Sequence, residues 1–210
     1  MNTKVIKVNA NDIDAINEAA KLIKNGELVA FPTETVYGLG ADGLNVEACR
    51  KIYEVKGRPP NKPLSLHVAS REMIDDIAIV SPLAEKLIKV FLPGALTLIL
   101  PKLPKVPDFV TCGKLNVGIR FPANDIALAL IKSAGVPIAA PSANISNEPP
   151  PTTAQEVLKN LSGKIPLILD NGACNFGISS TIIDLTQNVP KIIRKGAINV
   201  EDIFNVIGGI

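Results

Sequence analysis

Strand-like runs of apolar residues alternate with helix-period segments from one end of this sequence to the other. Such alternation predicts helices packed on a sheet around one core, because an amphipathic helix must bury its apolar stripe. No low-complexity linker and no internal repeat interrupts the pattern. We therefore expect a single α/β domain over residues 1–210.

The expected elements follow from local periodicity and from glycine, proline or capping residues at their ends. Strands are predicted at residues 4–8, 28–31, 64–68, 96–100, 117–121, 138–140, 167–170, 181–185 and 191–194. Helices are predicted at residues 13–23, 46–55, 82–92, 126–134 and 200–207, with one more opened by a capping box at 153–156. Asp12 is the expected N-cap of the first helix, and Gly26 its stop. Short and irregular links between strands favour a twisted, mixed sheet flanked by helices.

The composition excludes several classes of protein. With 47% hydrophobic and 20% charged residues, the chain is neither disordered nor fibrous. Its 22 basic and 20 acidic residues nearly cancel, so net charge predicts no general attraction to nucleic acid or to an anionic membrane. Cys49, Cys112 and Cys174 are odd in number and far apart, which favours reduced, buried thiols. No apolar segment suits export or a membrane span, so we expect a cytoplasmic protein.

Polar residues concentrate in four loops at predicted strand ends, which cover residues 32–40, 56–63, 141–144 and 179–181. Open α/β sheets bind ligands at such crevices. The second loop places Lys56, Arg58 and Lys62 within seven residues of a proline-rich backbone. These cations suit a polyphosphate, although an ordinary solvated basic loop has the same composition.

Several common sites are absent or weakly indicated. The glycines of residues 38–43 match G-x-G-x-x-G, but polar residues separate them from the strand, so we interpret them as allowing close packing or positive φ. No G-x-x-x-x-G-K-[ST] occurs. His67 is the single histidine, which excludes zinc sites with two histidines and leaves a structural role open. No G-x-S-x-G surrounds a serine. Ser142 and Asn144 would face one side of an extended loop and could meet phosphate, although turns share this composition.

Six ordered segments together carry a resemblance. They are PTETVYGLG at 32–40, KGRPPNKPL at 56–64, VGIRFP at 117–122, AAPSANIS at 139–146, SSTIIDL at 179–185 and IIRKG at 192–196. The chain thereby resembles the threonylcarbamoyl-AMP synthase family, or YrdC-like domain, over about residues 10–207. The resemblance implies one YrdC-like catalytic domain, either a short member or the catalytic domain of a longer one.

The resemblance also implies site residues. A catalytic tetrad around the ATP phosphates would comprise Lys56, Arg58, Ser142 and Asn144. Further ATP contacts would come from Lys62, Asn116, Ala140 and Arg194. A threonine pocket would be lined by Thr35, His67, Arg120 and Ser180.

The implied reaction is that of a nucleotidyltransferase. Threonine and bicarbonate form a carbamate, which attacks the α-phosphate of ATP and expels pyrophosphate, so positioning and electrostatics should carry catalysis. Magnesium would arrive with ATP rather than in a protein metal site. The product would reach a downstream threonylcarbamoyl transferase complex that modifies tRNA next to the anticodon, with tRNA contact as a further expectation.

Two departures from the family pattern and two alternatives accompany this prediction. The family often has glycine and a later serine where this chain has Asn147 and Pro150, and glutamate where it has Ser179. A non-catalytic RNA-binding module is one alternative, although the low aromatic content argues against base stacking. The other is a carbamoyl transferase module, which normally accompanies acylphosphatase and zinc-finger domains.

Overall fold

The computed structural model describes residues 2–208. Ten strands form one sheet within this range: β1 Lys4–Lys7, β2 Val29–Phe31, β3 Gly38–Asp42, β4 Ser65–His67, β5 Leu96–Pro101, β6 Asn116–Arg120, β7 Ile138–Ala139, β8 Leu167–Asp170, β9 Thr181–Asp184 and β10 Lys191–Arg194. Eight helices accompany them: α1 Ile13–Lys24, α2 Val46–Lys56, α3 Arg71–Asp75, α4 Pro82–Phe91, α5 Asp108–Thr111, α6 Asp125–Ala134, α7 Ala154–Leu161 and α8 Val200–Ile207.

The sheet is mixed, as the irregular links predicted. Its strand order is β1-β8-β2-β3-β7-β4-β6-β5-β9-β10. β1 and β2 flank β8 in parallel, β4 pairs with β6 in parallel, and β5 pairs with β9 in parallel. The remaining neighbours are antiparallel. The α/β fold class is confirmed.

Helices cover both faces of the sheet. Along β2, Ala30 belongs to one apolar cluster while Val29 and Phe31 belong to another, since successive side chains of a strand point to opposite faces. The second cluster also contains the buried stripes of α1 and α6. Burial on both faces explains why these strands read as continuous apolar runs.

Helix ends largely follow the capping rules. The side chain of Thr153 accepts from the Glu156 amide of α7 at 3.3 Å, as predicted, but Glu156 reaches back to the amide of Thr152 instead of completing the capping box. Asp12 precedes α1 without capping it, because its carboxylate accepts from the amide of Asn9 at 2.6 Å. The structure therefore corrects the predicted role of Asp12.

β3 was not among the predicted strands. Residues 38–42 looked like a glycine loop, yet they pair with β2 and β7 in the middle of the sheet. A Cβ at Gly40 would lie 2.8 Å from the ring of Phe31. These glycines therefore allow close packing, one of the two roles expected of them, and open no dinucleotide turn.

The cysteines are free thiols. Cys49 is buried, whereas Cys112 and Cys174 are only partly buried, so the expectation of burial holds fully for the first alone. Within residues 2–208, no helix combines the length and apolar character needed to cross a bilayer.

Candidate functional site

A cavity of about 190 Å³ lies where five strands bring one row of residues side by side. The register aligns His67 of β4 with Arg120 of β6, and Arg120 with Thr97 of β5. Thr97 is aligned with Ile182 of β9, which is aligned with Arg194 of β10. All five residues line the cavity. The sheet thus assembles charged and polar groups that are up to 127 positions apart in the sequence, from His67 to Arg194 (194 − 67).

Most of the predicted site residues border this cavity: Arg58, His67, Arg120, Ala140, Ser142, Ser180 and Arg194. The others do not: Thr35, Lys56, Lys62, Asn116 and Asn144. The lining also includes polar residues that sequence reasoning missed, namely Thr33, Ser65, Thr97 and Tyr37.

Lys56 lies behind the cavity wall rather than in it. It ends α2 at only 2% exposure, and its ammonium donates to the backbone carbonyls of Ser142 and Asn144. The carbonyl of Lys56 accepts from the Ser146 amide at 2.8 Å. Burial, and next the charge of Arg58, lower the pKa of the Lys56 amine to about 7. In this structure Lys56 therefore fixes the loop that presents Ser142.

Asn144 also serves its own loop. Its side-chain amide donates to the carbonyls of Ile145 and Glu148, both at 2.8 Å. Ser142 borders the cavity and Asn144 does not, so they do not face it together as the extended-loop prediction held. The loop is folded rather than extended: Asn147, where the family often has glycine, has φ of 76°, a conformation that asparagine tolerates better than most residues.

Arg58 is held at the cavity by its own loop. Its Nε donates to the carbonyl of Lys62 at 3.1 Å and its Nη2 to that of Pro63 at 2.8 Å. The guanidinium lies 5.9 Å from the centroid of the Tyr53 ring, and the Tyr53 hydroxyl donates to the same Lys62 carbonyl at 2.9 Å. The proline-rich backbone thus folds around the arginine and leaves it at the cavity edge.

Thr33, rather than the predicted Thr35, borders the cavity. Thr35 is fully buried, and its hydroxyl lies 2.9 Å from that of Thr33. Thr33 in turn donates to the carbonyl of Val36 at 2.6 Å. Thr35 therefore supports the cavity wall through its neighbour.

His67 and Arg120 form a buried, polar corner. Each is 4–5% exposed, and burial followed by the charge of Arg120 holds the pKa of His67 well below its usual value. An imidazole in this corner is neutral at physiological pH. Arg120 Nη2 lies 2.9 Å from Oε1 of Glu34, a carboxylate that sequence reasoning did not assign to the site.

Ser180 joins two of the strands. Its hydroxyl lies 2.8 Å from that of Thr97. Arg194 donates through Nε and Nη2 to the Ser180 carbonyl at 3.0 and 2.8 Å, and through Nη2 to its hydroxyl at 3.1 Å. Burial, and next the charge of Arg120, lower the pKa of Arg194, although a guanidinium stays charged at any physiological pH.

The donor set suits an anion better than a bare metal ion. Arg58, Arg120 and Arg194 line the cavity, and no carboxylate does so among the described residues. Residues 2–208 also hold no cluster of His, Cys, Asp and Glu side chains that could bind a metal.

Comparison with known proteins identifies relatives of the whole described fold. The model of the Sua5/YciO/YrdC family, described as "Telomere recombination", matches residues 21–196. The threonylcarbamoyl-AMP synthase of Pyrococcus abyssi is 50% identical over 196 residues, which cover 93% of this chain and 58% of that protein. The Bacillus subtilis enzyme of the same name is 48% identical over 197 residues, with 93% and 57% coverage.

A solved structure agrees with these matches. The crystal structure of P. abyssi Sua5 complexed with L-threonine superposes with a TM-score of 0.96 at 48% identity, covering 99% of this chain and 62% of that one. This chain thus spans 57–62% of the length of these relatives, less than two thirds.

Proposed function

Since the chain belongs to the Sua5/YciO/YrdC family, we propose that it is an L-threonylcarbamoyladenylate synthase. It joins L-threonine, bicarbonate and ATP into threonylcarbamoyl-AMP and releases pyrophosphate. The observation that carries the proposal is the cross-sheet row of His67, Arg120, Thr97 and Arg194, which meets Arg58 and Ser142 in one cavity. The arginines of this cavity supply positive charge to bind phosphates and a substrate carboxylate. The hydroxyls can bond the side chain of an amino acid.

The phosphate end of the cavity is proposed to be the Arg58 and Ser142 side. A guanidinium presents a planar fork to phosphate oxygens, and charge that develops on them is stabilised by donors already in place. Lys56 contributes by holding the 142–144 loop, and burial followed by the charge of Arg58 lowers the pKa of its amine. Lys62, Asn116, Ala140, Asn144 and Arg194 remain proposed ATP contacts.

The amino-acid end is proposed to be the corner of Arg120, His67 and Ser180. Arg120 pairs with the threonine carboxylate, and the Ser180 hydroxyl, 2.8 Å from that of Thr97, bonds the threonine hydroxyl. A pocket built to bond a hydroxyl discriminates strongly against analogues that lack it, so valine should be a poor substrate. Thr35 acts from behind Thr33.

The chemistry proceeds in two bond-forming steps. Bicarbonate loses hydroxide to give carbon dioxide, the threonine amine forms a C–N bond to its carbon as one C=O π bond opens onto the carbamate oxygen, and the proton lost by the amine combines with the hydroxide as water. An oxygen of the resulting carbamate forms a bond to the α-phosphorus as the bond to pyrophosphate breaks. The protein orients the two reactants, and magnesium carried in on the triphosphate would neutralise part of the phosphate charge. The adenylate then passes to a threonylcarbamoyl transferase complex for tRNA, in the cytoplasm, and we propose tRNA contact during that transfer.

The test measures pyrophosphate release and adenylate mass with ATP, magnesium, threonine and bicarbonate present. Arg58→Ala should remove most of the release. Arg50→Ala is a matched control, since Arg50 lies on α2 with a side chain 48% exposed and paired with Glu47. Valine in place of threonine should give little release.

Release that ignores threonine, or that survives Arg58→Ala unchanged, would contradict the proposal. If neither ATP nor threonine binds and the chain binds tRNA instead, the RNA-module alternative becomes the better account. Binding of both substrates without turnover would limit the proposal to the binding functions of this chain.

A further inference from the structure

Glu34 is a buried charge that the proposed mechanism does not use. It is 5% exposed, and its Oε1 lies 2.9 Å from Nη2 of Arg120, which is also 5% exposed. Every other ion pair among residues 2–208 has at least one side chain that is a third or more exposed. Burying a charge costs several kcal/mol unless a partner compensates it, so removing Glu34 would leave the Arg120 charge uncompensated at the cavity.

Glu34 lies behind Arg120 as seen from the cavity. Arg120 lines the cavity and Glu34 does not. The carboxylate therefore reaches a ligand only through the guanidinium that it contacts. A charged group behind an arginine restricts its orientation in the same way as outer partners orient metal ligands.

The hydrogen-bonding capacity of this corner is unfilled. The 2.9 Å contact between Glu34 Oε1 and Arg120 Nη2 is an ion pair without hydrogen-bond alignment, and Glu34 Oε2, Arg120 Nε and His67 Nδ1 are buried without a hydrogen-bond partner. Buried polar groups are normally paired, so unpaired ones at a cavity point to a ligand or to a rearrangement on binding. A ligand carboxylate that contacts Arg120 would complete a carboxylate–guanidinium–carboxylate arrangement.

The backbone of Glu34 also anchors the loop that leads to Ser180. The amide of Phe176 donates to the Glu34 carbonyl at 2.9 Å. The residue thus has fixed positions for both its backbone and its side chain, which a role in orientation requires.

We propose that Glu34 is a positioning residue that holds the Arg120 guanidinium in the orientation that binds the carboxylate of the amino-acid substrate. This inference rests on the proposed function. Glu34 does not touch the substrate, and its effect is specific to the substrate carboxylate.

The experiment compares threonine with threoninol, which keeps the amine and hydroxyl but lacks the carboxylate. Calorimetry measures the Kd of each ligand for the wild type, for Glu34→Gln and for Glu27→Gln. The last variant is a matched control, since Glu27 pairs with Lys51 where both side chains are more than a third exposed. We expect Glu34→Gln to weaken threonine binding about tenfold or more, with threoninol and ATP within about twofold of the wild type.

Each outcome decides the inference. Threonine affinity that is unchanged in Glu34→Gln would overturn it, as would an equal loss for threonine and threoninol, which indicates a purely structural role. A wild-type chain that binds no threonine would overturn the proposed function and this inference with it. If Glu34→Gln does not fold, Glu34→Asp retains the charge but withdraws it from Arg120 by one methylene, and the same selective loss is expected.

Discussion

His67 should make the stability of the fold depend on pH in a way that can be attributed to one side chain. It is the single histidine of the chain and is 4% exposed. Arg120 repels a proton on it, and the ring of Phe31 meets it edge-on at 6.2 Å. The pKa of His67 is therefore well below 6.5 in the folded state, and near 6.5 in the unfolded chain.

The sign and size of the effect follow from proton linkage. Below pH 6.5 the unfolded chain binds a proton that the folded protein refuses, so the free energy of unfolding falls as the pH falls. The limiting slope is about 1.4 kcal/mol per pH unit for one proton. Between about pH 7.5 and about pH 5.5, the loss assigned to His67 is therefore about 1.4 kcal/mol.

The assay is urea unfolding of the wild type and of His67→Gln at both pH values. Lys56, whose pKa is also lowered, titrates in the same direction but is present in both proteins. The difference between the two proteins thus isolates His67. Glutamine keeps a polar side chain of similar reach without a titrating group.

A pH-dependent loss of equal size in the two proteins would refute this reasoning. It would mean that His67 takes up its proton equally well in the folded and unfolded states, so neither burial nor Arg120 excludes the charge. Any lower absolute stability of His67→Gln does not affect the comparison, because only the change with pH is used.

Three further results are expected. Gly40→Ala puts a Cβ 2.8 Å from the Phe31 ring, and urea titration should show a loss of about 1–3 kcal/mol; an unchanged midpoint would contradict the packing argument. The pKa of Lys56 is about 7 in the folded protein and 10.5 in the unfolded chain. Between these pH values the free energy of unfolding should therefore rise with pH by about 1.4 kcal/mol per pH unit more in the wild type than in Lys56→Met. Equal pH dependence in the two proteins would mean that Lys56 has an ordinary pKa, and Lys51→Met is the control at a more exposed lysine. Chelation of magnesium by excess EDTA should stop pyrophosphate release but leave the calorimetric Kd for threonine unchanged; continued release would contradict magnesium delivery with ATP.

Elements with strong local signals could be predicted from the sequence. The bounds of β8, β10 and α8 agree with the prediction, since each is a distinct apolar run or stripe with clear ends. The sequence did not predict β3, because glycines in a polar segment indicate a loop and only the folded structure shows that Phe31 packs against them. α3 and α5, of five and four residues, are too short to show a helical period.

The site was predictable at the level of segments but less so at the level of side chains. Each loop that carries Arg58, Ser142 or Ser180 reaches the cavity as expected. Which residue of a loop faces the cavity depends on folded turns, which is why Thr33 replaces Thr35 there. A polar residue within an otherwise apolar strand was the available signal for Thr97, and the charge in the apolar surroundings of residues 28–39 was the signal for Glu34.

The interleaved strand order has a consequence for synthesis of the chain on the ribosome. β2 can complete its pairing only after β8 has been synthesised, more than 130 residues later, and β5 only after β9. Such long-range pairing slows folding and leaves apolar strands exposed until their neighbours arrive. The cross-sheet row is complete only once Arg194 has been made. A nascent chain can therefore pair β4, β6 and β5 early and hold part of the row, but the edges of β2 and β5 stay unpaired until β8 and β9 have been synthesised.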